Sequence, residues 1–139
     1  MIKLVILQGL PFSGKTTWAK TWTTKAKKRI RLSRYDFCRM LSCESESSPV
    51  ELRTIAYTSC LEAFEVAVVH GWSVVLDDLN LQTCDYMPFV SFAQTHGVTV
   101  EFKKFLIKKS DVPKIVSERN TISMLRMEMY MERYPEYVK

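Results

Sequence analysis

The stretch that most constrains this chain is Gly9-Leu10-Pro11-Phe12-Ser13-Gly14-Lys15-Thr16, a complete G-x-x-x-x-G-K-[ST] (Walker A) pattern. Before it runs Ile2-Lys3-Leu4-Val5-Ile6-Leu7, short, apolar and partly β-branched, as a buried parallel strand reads. After it, Thr17-Trp18-Ala19-Lys20-Thr21-Trp22 can carry a helix. Strand, glycine loop and helix in this order make a site for an anion. Successive backbone N–H groups and the positive end of the helix dipole converge on one phosphate. In that setting Lys15 reaches the β- and γ-phosphates of ATP and the Thr16 hydroxyl ligates Mg²⁺. Gly9, Pro11, Phe12, Ser13, Gly14 and Thr17 complete the nucleotide-binding set.

The rest of the chain alternates strand and helix patterns, which implies parallel βαβ units rather than hairpins. Further strands are expected at Arg29–Leu32, at Ser73–Asp77 and at Val98–Phe102, the last continuing towards Ile107. Ser48-Pro49-Val50-Glu51 reads as a capping box with proline at the first helical position, opening a long helix that Gly71 closes. A second helix within Gln82–Thr95 ends in the same way at Gly97, and Ser110-Asp111-Val112-Pro113 opens a third. His70 and His96 each precede a closing glycine, where the helix dipole favours them, so they read as structural. The methionines between Ile122 and Tyr134 read as adaptable core packing. The expectation is one domain over residues 1–139. Its fold class is α/β: a P-loop NTPase-type parallel sheet of four strands, with helices on both faces and a short helical lid.

Charge and cysteine content narrow the setting. The net charge of +5 favours a polyanionic partner. Cys38, Cys43, Cys60 and Cys84 form no C-x-x-C pair, which reads as reduced thiols in a cytoplasmic protein. The six-residue apolar run at the N-terminus leads straight into the glycine loop and does not read as a signal peptide. Glu44–Ser48 is a low-complexity loop.

Three further segments carry candidate chemistry. In Ser33-Arg34-Tyr35-Asp36-Phe37-Cys38-Arg39, just past the second strand, Asp36 and Arg39 stand at i, i+3 of a first helical turn. The carboxylate can accept a proton from an attacking hydroxyl while the arginine holds an anionic part of the acceptor, or the two can form an ordinary surface ion pair. Asp77-Asp78-Leu79-Asn80 ends the third strand, where an acidic residue commonly orders Mg²⁺. Adjacent strand residues face opposite ways, so only one of Asp77 and Asp78 serves directly, and the other, or Asn80, can cap the next helix. Arg119, in Glu118-Arg119-Asn120, stands where a lid arginine would stabilise charge on a transferring phosphoryl group.

With these residues in place, the chain resembles the 5′-kinase domains of the bacteriophage polynucleotide kinases, within the P-loop kinase superfamily. The resemblance runs nearly end to end. It rests on Gly9–Trp18, Arg34–Arg39, Asp78-Leu79-Asn80-Leu81, Arg119-Asn120 and Leu125–Tyr130, in that order. It implies ATP and Mg²⁺ as cofactors and the 5′-hydroxyl ends of DNA or RNA as acceptors, in nucleic acid end repair. It implies Asp36 as general base, Arg34 and Arg39 on the acceptor, Asp78 beside the reacting hydroxyl or the metal, and Lys15 and Arg119 on the transferred phosphate. Relative to that family, Tyr35 replaces an acidic residue, and Asp36 takes the base role by its spacing to Arg39. The lid is short and lacks a second arginine. A phosphatase domain is absent, so 3′-end processing would fall to a separate phosphatase or ligase chain. A small-molecule kinase and a non-catalytic nucleotide-binding module are the alternative readings.

Overall fold

A computed structural model describes residues 1–41 and 48–139. Cys43 and most of the expected Glu44–Ser48 loop lie outside the described residues. Four strands form one parallel sheet: β1 (Lys3–Gln8), β2 (Arg29–Leu32), β3 (Ser73–Leu76) and β4 (Thr99–Lys104), in the order β2-β3-β1-β4. Register pairs Val5 with Val75 and with Glu101, and Arg31 with Val75. Six helices accompany them among the described residues: α1 (Lys15–Thr24), α2 (Arg34–Met40), α3 (Val50–Val69), α4 (Thr83–Thr95), α5 (Val112–Arg119) and α6 (Met124–Arg133).

Alternation along β1 and β3 divides the core. Leu4, Ile6, Val74 and Leu76 meet α3 and α4 through Cys60, Phe64, Ala67, Phe89 and Ala93. Val5, Leu7 and Val75 face the other way, onto Ala19, Trp18 and Trp22 of α1. Helices therefore cover both faces of the sheet. A third cluster, with Leu10, Val112, Met127 and Met131 buried at its centre, packs α5 and α6 against the start of the glycine loop. Met127 and Met131 thus fill core positions as expected, whereas Met129 is exposed.

Local punctuation sets the element ends. Gly71 at φ 82° and Gly97 at φ 67° take the left-handed conformation that closes α3 and α4. At the start of α3 the expectation shifts by one residue. Pro49 is itself the N-cap, at φ −54° and ψ 138°, and the helix begins at Val50. The extension beyond β4 resolves into a single parallel bridge, Ile107 with Val138, which returns the C-terminal segment to the sheet side. Among the described residues no helix is long and apolar enough to cross a membrane.

Candidate active site

The carboxyl edge of the sheet gathers the chemistry. The loop after β1 opens with Gly9, whose N–H donates to the Leu79 carbonyl at 3.1 Å. A Cβ on Gly9 would lie 2.8 Å from Ser13 Oγ and 2.9 Å from the Phe105 carbonyl oxygen, so close backbone approach requires glycine here. Gly14 closes the loop at φ 95° and is the N-cap of α1. It offers no side-chain cap, and the first turn of α1 holds no acidic residue, which suits an incoming anion. Phe12 also takes a positive φ, 65°, and is held there by packing against the α5–α6 cluster.

Lys15 is buried, and its Nζ donates to the carbonyls of Gly9 (3.0 Å) and Leu10 (2.7 Å) and to Ser13 Oγ (3.2 Å). Burial lowers its pKa to about 8, with the nearby charges of Asp77 and Asp78 opposing the shift. The ammonium is curled back into its own loop. A phosphate there would meet a cation already desolvated. Thr16 and Thr17 are exposed at the start of α1.

Beside this loop, Arg31 of β2 joins two carboxylates. Its Nε donates to Asp77 Oδ2 at 2.7 Å and its NH1 to Asp36 Oδ2 at 2.6 Å. Burial works against the guanidinium's charge, yet hydrogen bonds to Asp36 and Asp77 leave its pKa above the ordinary value. The Asp77 side chain is 2% exposed and that of Asp36 is 43% exposed. Only Asp36 is therefore open to a molecule arriving from solvent. It sits in the first turn of α2, where the Ser33 N-cap hydroxyl accepts from its backbone N–H at 3.2 Å.

Asp78, just past the end of β3, turns away from Asp77. Its carboxylate accepts from Ser33 Oγ (3.1 Å), from the Arg34 backbone N–H (2.9 Å), from Arg34 Nε (3.1 Å) and from the Tyr35 N–H (3.3 Å). Burial pushes this carboxyl above the ordinary carboxylate range, against the pull of Arg34. Arg34 also donates to the Asp85 carbonyl and to Asn80 Oδ1, and its guanidinium lies near the rings of Tyr57 and Phe89. Asn80, fully buried at φ 49°, donates to the Leu7 carbonyl at 2.8 Å and so ties the ends of β1 and β3 together.

These contacts redirect several sequence expectations. Arg34 and Asp78, expected on the acceptor and the metal, are committed to one another and to the N-terminus of α2. Asn80 is a staple rather than a cap; Gln82 and Asp85 form the capping box of α4. Asp36 pairs with Arg31 rather than with Arg39, whose guanidinium lies 5.9 Å from the Tyr35 ring centroid. Arg119 ends α5, exposed, on the helical pair that packs against Leu10 and Phe12. Arg31 is the residue that sequence reasoning missed. Its signal is register: Arg31 pairs with Val75, and Asp77, two residues further on, lies on the same face. Of the described cysteines, Cys38 and Cys60 are buried and Cys84 is exposed; burial raises the Cys60 thiol to about 12.

A family model described as AAA domain matches residues 4–127. Among solved structures, the chain is similar to one from a Pnkp1/Rnl/Hen1 complex, with TM-score 0.71 and 24% identity over 88% of this chain and 40% of that one. A second, from the Pnkp1/Rnl/Hen1 RNA repair complex, gives TM-score 0.74 and 23% identity over 86% and 38%. The Mycobacterium tuberculosis APS kinase CysC in complex with AMPPNP and APS gives TM-score 0.59 and 13% identity over 85% and 69%. The chain thus spans about two fifths of the length of the first two, and at these identities the likeness is one of fold.

Proposed function

The chain belongs to the AAA domain family of P-loop proteins, and from that premise we propose that it is an ATP-dependent kinase acting on the 5′-hydroxyl ends of DNA or RNA. The observation that carries the reading is the Arg31 bridge. It holds a solvent-reachable carboxylate, Asp36, next to a buried one, Asp77, whose charge is felt by Lys15 in the glycine loop. In this reading the glycine loop as donor site and Asp36 as proton acceptor lie at the same sheet edge.

In this reading the loop N–H groups, Lys15 and Thr17 bind the ATP phosphates. The exposed Thr16 hydroxyl is a hard oxygen donor and would hold Mg²⁺, which neutralises phosphate charge when bound. Buried Asp77, paired with Arg31, adds its negative charge to that end of the site. Asp78 is left to its structural pair. Asp36 takes the proton of the attacking hydroxyl, and Arg31 orients it. Arg39 holds a phosphate on the 3′ side of the acceptor, and Arg119 stabilises charge on the transferring group. In-line transfer then depends on positioning and charge rather than on a covalent intermediate.

Supporting a nucleic acid acceptor are the net charge of +5, the ordered motifs of the phage kinase resemblance, and the fold likeness to a protein of an RNA repair complex. The likeness to APS kinase favours a second reading, a small-molecule acceptor on the same scaffold. The test is incubation with γ-labelled ATP·Mg²⁺ and a panel of 5′-hydroxyl oligonucleotides, nucleosides, sugars and adenylyl sulfate. Label on the oligonucleotides supports the proposal. Label confined to a small molecule transfers the assignment to the second reading, and no label on any acceptor contradicts both.

A further inference from the structure

Outside the proposed site, α1 and the end of β4 build a strip of aromatic rings under cations. Trp18 and Trp22 stack with centroids 6.4 Å apart, and Phe105 meets Trp18 edge-on at 6.2 Å. All three rings are half-buried, with the sheet beneath them. Lys103 Nζ lies 5.2 Å from the Trp18 ring and 5.5 Å from the Phe105 ring, and the Arg29 guanidinium lies 4.4 Å from that of Trp22. Lys25, exposed, follows Trp22 at i+3, on the flank of α1 that carries both tryptophans. Asp36 is the first acidic residue of the chain, so every charged side chain of α1 and of the turn leading to β2 is Lys or Arg.

We infer that this strip is a second binding surface, a track for the bases and phosphates of a single-stranded nucleic acid. The inference rests on the acceptor class proposed above and adds to it a place where the strand lies. Three features select the occupant. Cations outnumber acids along the strip, and its one acid on that face of β4, Glu101, is paired with Lys3 at 3.0 Å, so the strip complements a phosphate backbone. Half-buried aromatic rings offer π-surface to bases of any sequence. The ring spacing is wider than the roughly 3.4 Å per nucleotide of a duplex strand, which suits unstacked bases rather than a helix. The strip also begins at the glycine loop, since Phe105 is the residue against which Gly9 packs. From there the strip runs along α1 to Arg29 at the amino end of β2. A strand whose 5′ end occupies the acceptor corner thus crosses the carboxyl edge at the glycine loop and follows α1 down that face of the sheet.

The test measures binding directly, without ATP, so that it stands apart from phosphoryl transfer. Fluorescence anisotropy would follow 3′-labelled 5′-hydroxyl oligothymidylates of about 4 and about 16 nucleotides, the range of single-strand site sizes. The variants are Lys25→Glu/Lys103→Glu and Trp22→Leu, with ATP affinity as the check that each variant is folded. The longer oligonucleotide should bind more tightly than the shorter. Each variant should weaken it by about tenfold or more, and the charge variant should also flatten its salt dependence by about 0.7 per lost phosphate contact. Equal affinities for both lengths, or variants that bind ATP and the long strand like the parent, would overturn the inference. So would variants that instead change the oligomeric state in sedimentation, which would make the strip a contact between copies of the chain. Failure of transfer with the binding pattern intact would count against the kinase reading alone.

Discussion

The two halves of the candidate site are built by different means. The phosphate side is a backbone construction. Gly9 and Gly14 supply the close approach and the left-handed turn, and Lys15 is satisfied by carbonyls five and six residues before it. The proposed acceptor side is a side-chain construction. Arg31, Arg34, Asp36, Asp77, Asp78 and Asn80 come from separate elements and hold one another through ion pairs spanning up to 46 residues of sequence. A backbone cradle is fixed by its local sequence. A side-chain corner depends on partners the local sequence does not name, so single substitutions should rearrange it in different ways.

The largest expected effect falls on the phosphate side. Lys15→Met should lower kcat/KM by about 10²-fold or more, because it removes a positioned charge from the transferring phosphate. Circular dichroism of the variant should match the parent, since Lys15 serves the loop and not the apolar core. A variant that unfolds would show that the loop depends on its lysine for structure as well.

On the acceptor side the two adjacent aspartates should separate. Asp78→Ala strands a buried arginine at the start of α2 and should cost about 3–5 kcal/mol in chemical denaturation. Asp77→Asn should leave the fold closer to the parent and show its cost in the MgATP dependence of turnover. If the two variants lose stability equally, Asp77 is as structural as Asp78 and the division between them is wrong.

A smaller effect should come from pH. The free Lys15 has its pKa lowered to about 8, so above that value the folded protein loses the proton that a phosphate requires. Bound phosphate favours the ammonium, so MgATP affinity should hold below pH 8 and weaken as pH rises through it, with proton uptake on binding. Calorimetry in two buffers of different ionisation enthalpy reads that uptake directly. The sign for folding is opposite. Between about 8 and the ordinary lysine value of 10.5 the unfolded chain holds more protons, so this group's penalty on stability is full below 8 and fades as pH rises. The smallest effect is expected for Arg39→Ala on the exposed face of α2. It should raise KM for acceptors carrying a 3′-phosphate and leave plain nucleosides nearly unchanged.

The same division explains what the sequence disclosed. Strand, loop and helix around Gly9–Thr16 were legible because each signal is local, as were the ends of α3 and α4 at Gly71 and Gly97. The residues of the acceptor corner, Arg31 excepted, were also visible one by one. Their pairing was not, because Arg31 reaches Asp77 through a parallel register that no local pattern encodes. Asp78 and Arg34 looked functional for a physical reason: buried, polar and charged residues at a strand end serve structure and chemistry alike, and only their partners tell the roles apart. Asn80 at positive φ misled in the same way, being read as a cap where it ties two strands.

The central claim is that Asp36 is the proton acceptor for a phosphoryl group delivered from the glycine loop. Single-turnover transfer from γ-labelled ATP·Mg²⁺ to a 5′-hydroxyl oligonucleotide, compared between the parent and Asp36→Asn, tests it most directly. The account predicts unchanged ATP affinity, little change in acceptor affinity and a transfer rate lower by about 10²-fold or more. An Asp36→Asn variant that keeps most of the parent's transfer rate would contradict it and place the base elsewhere.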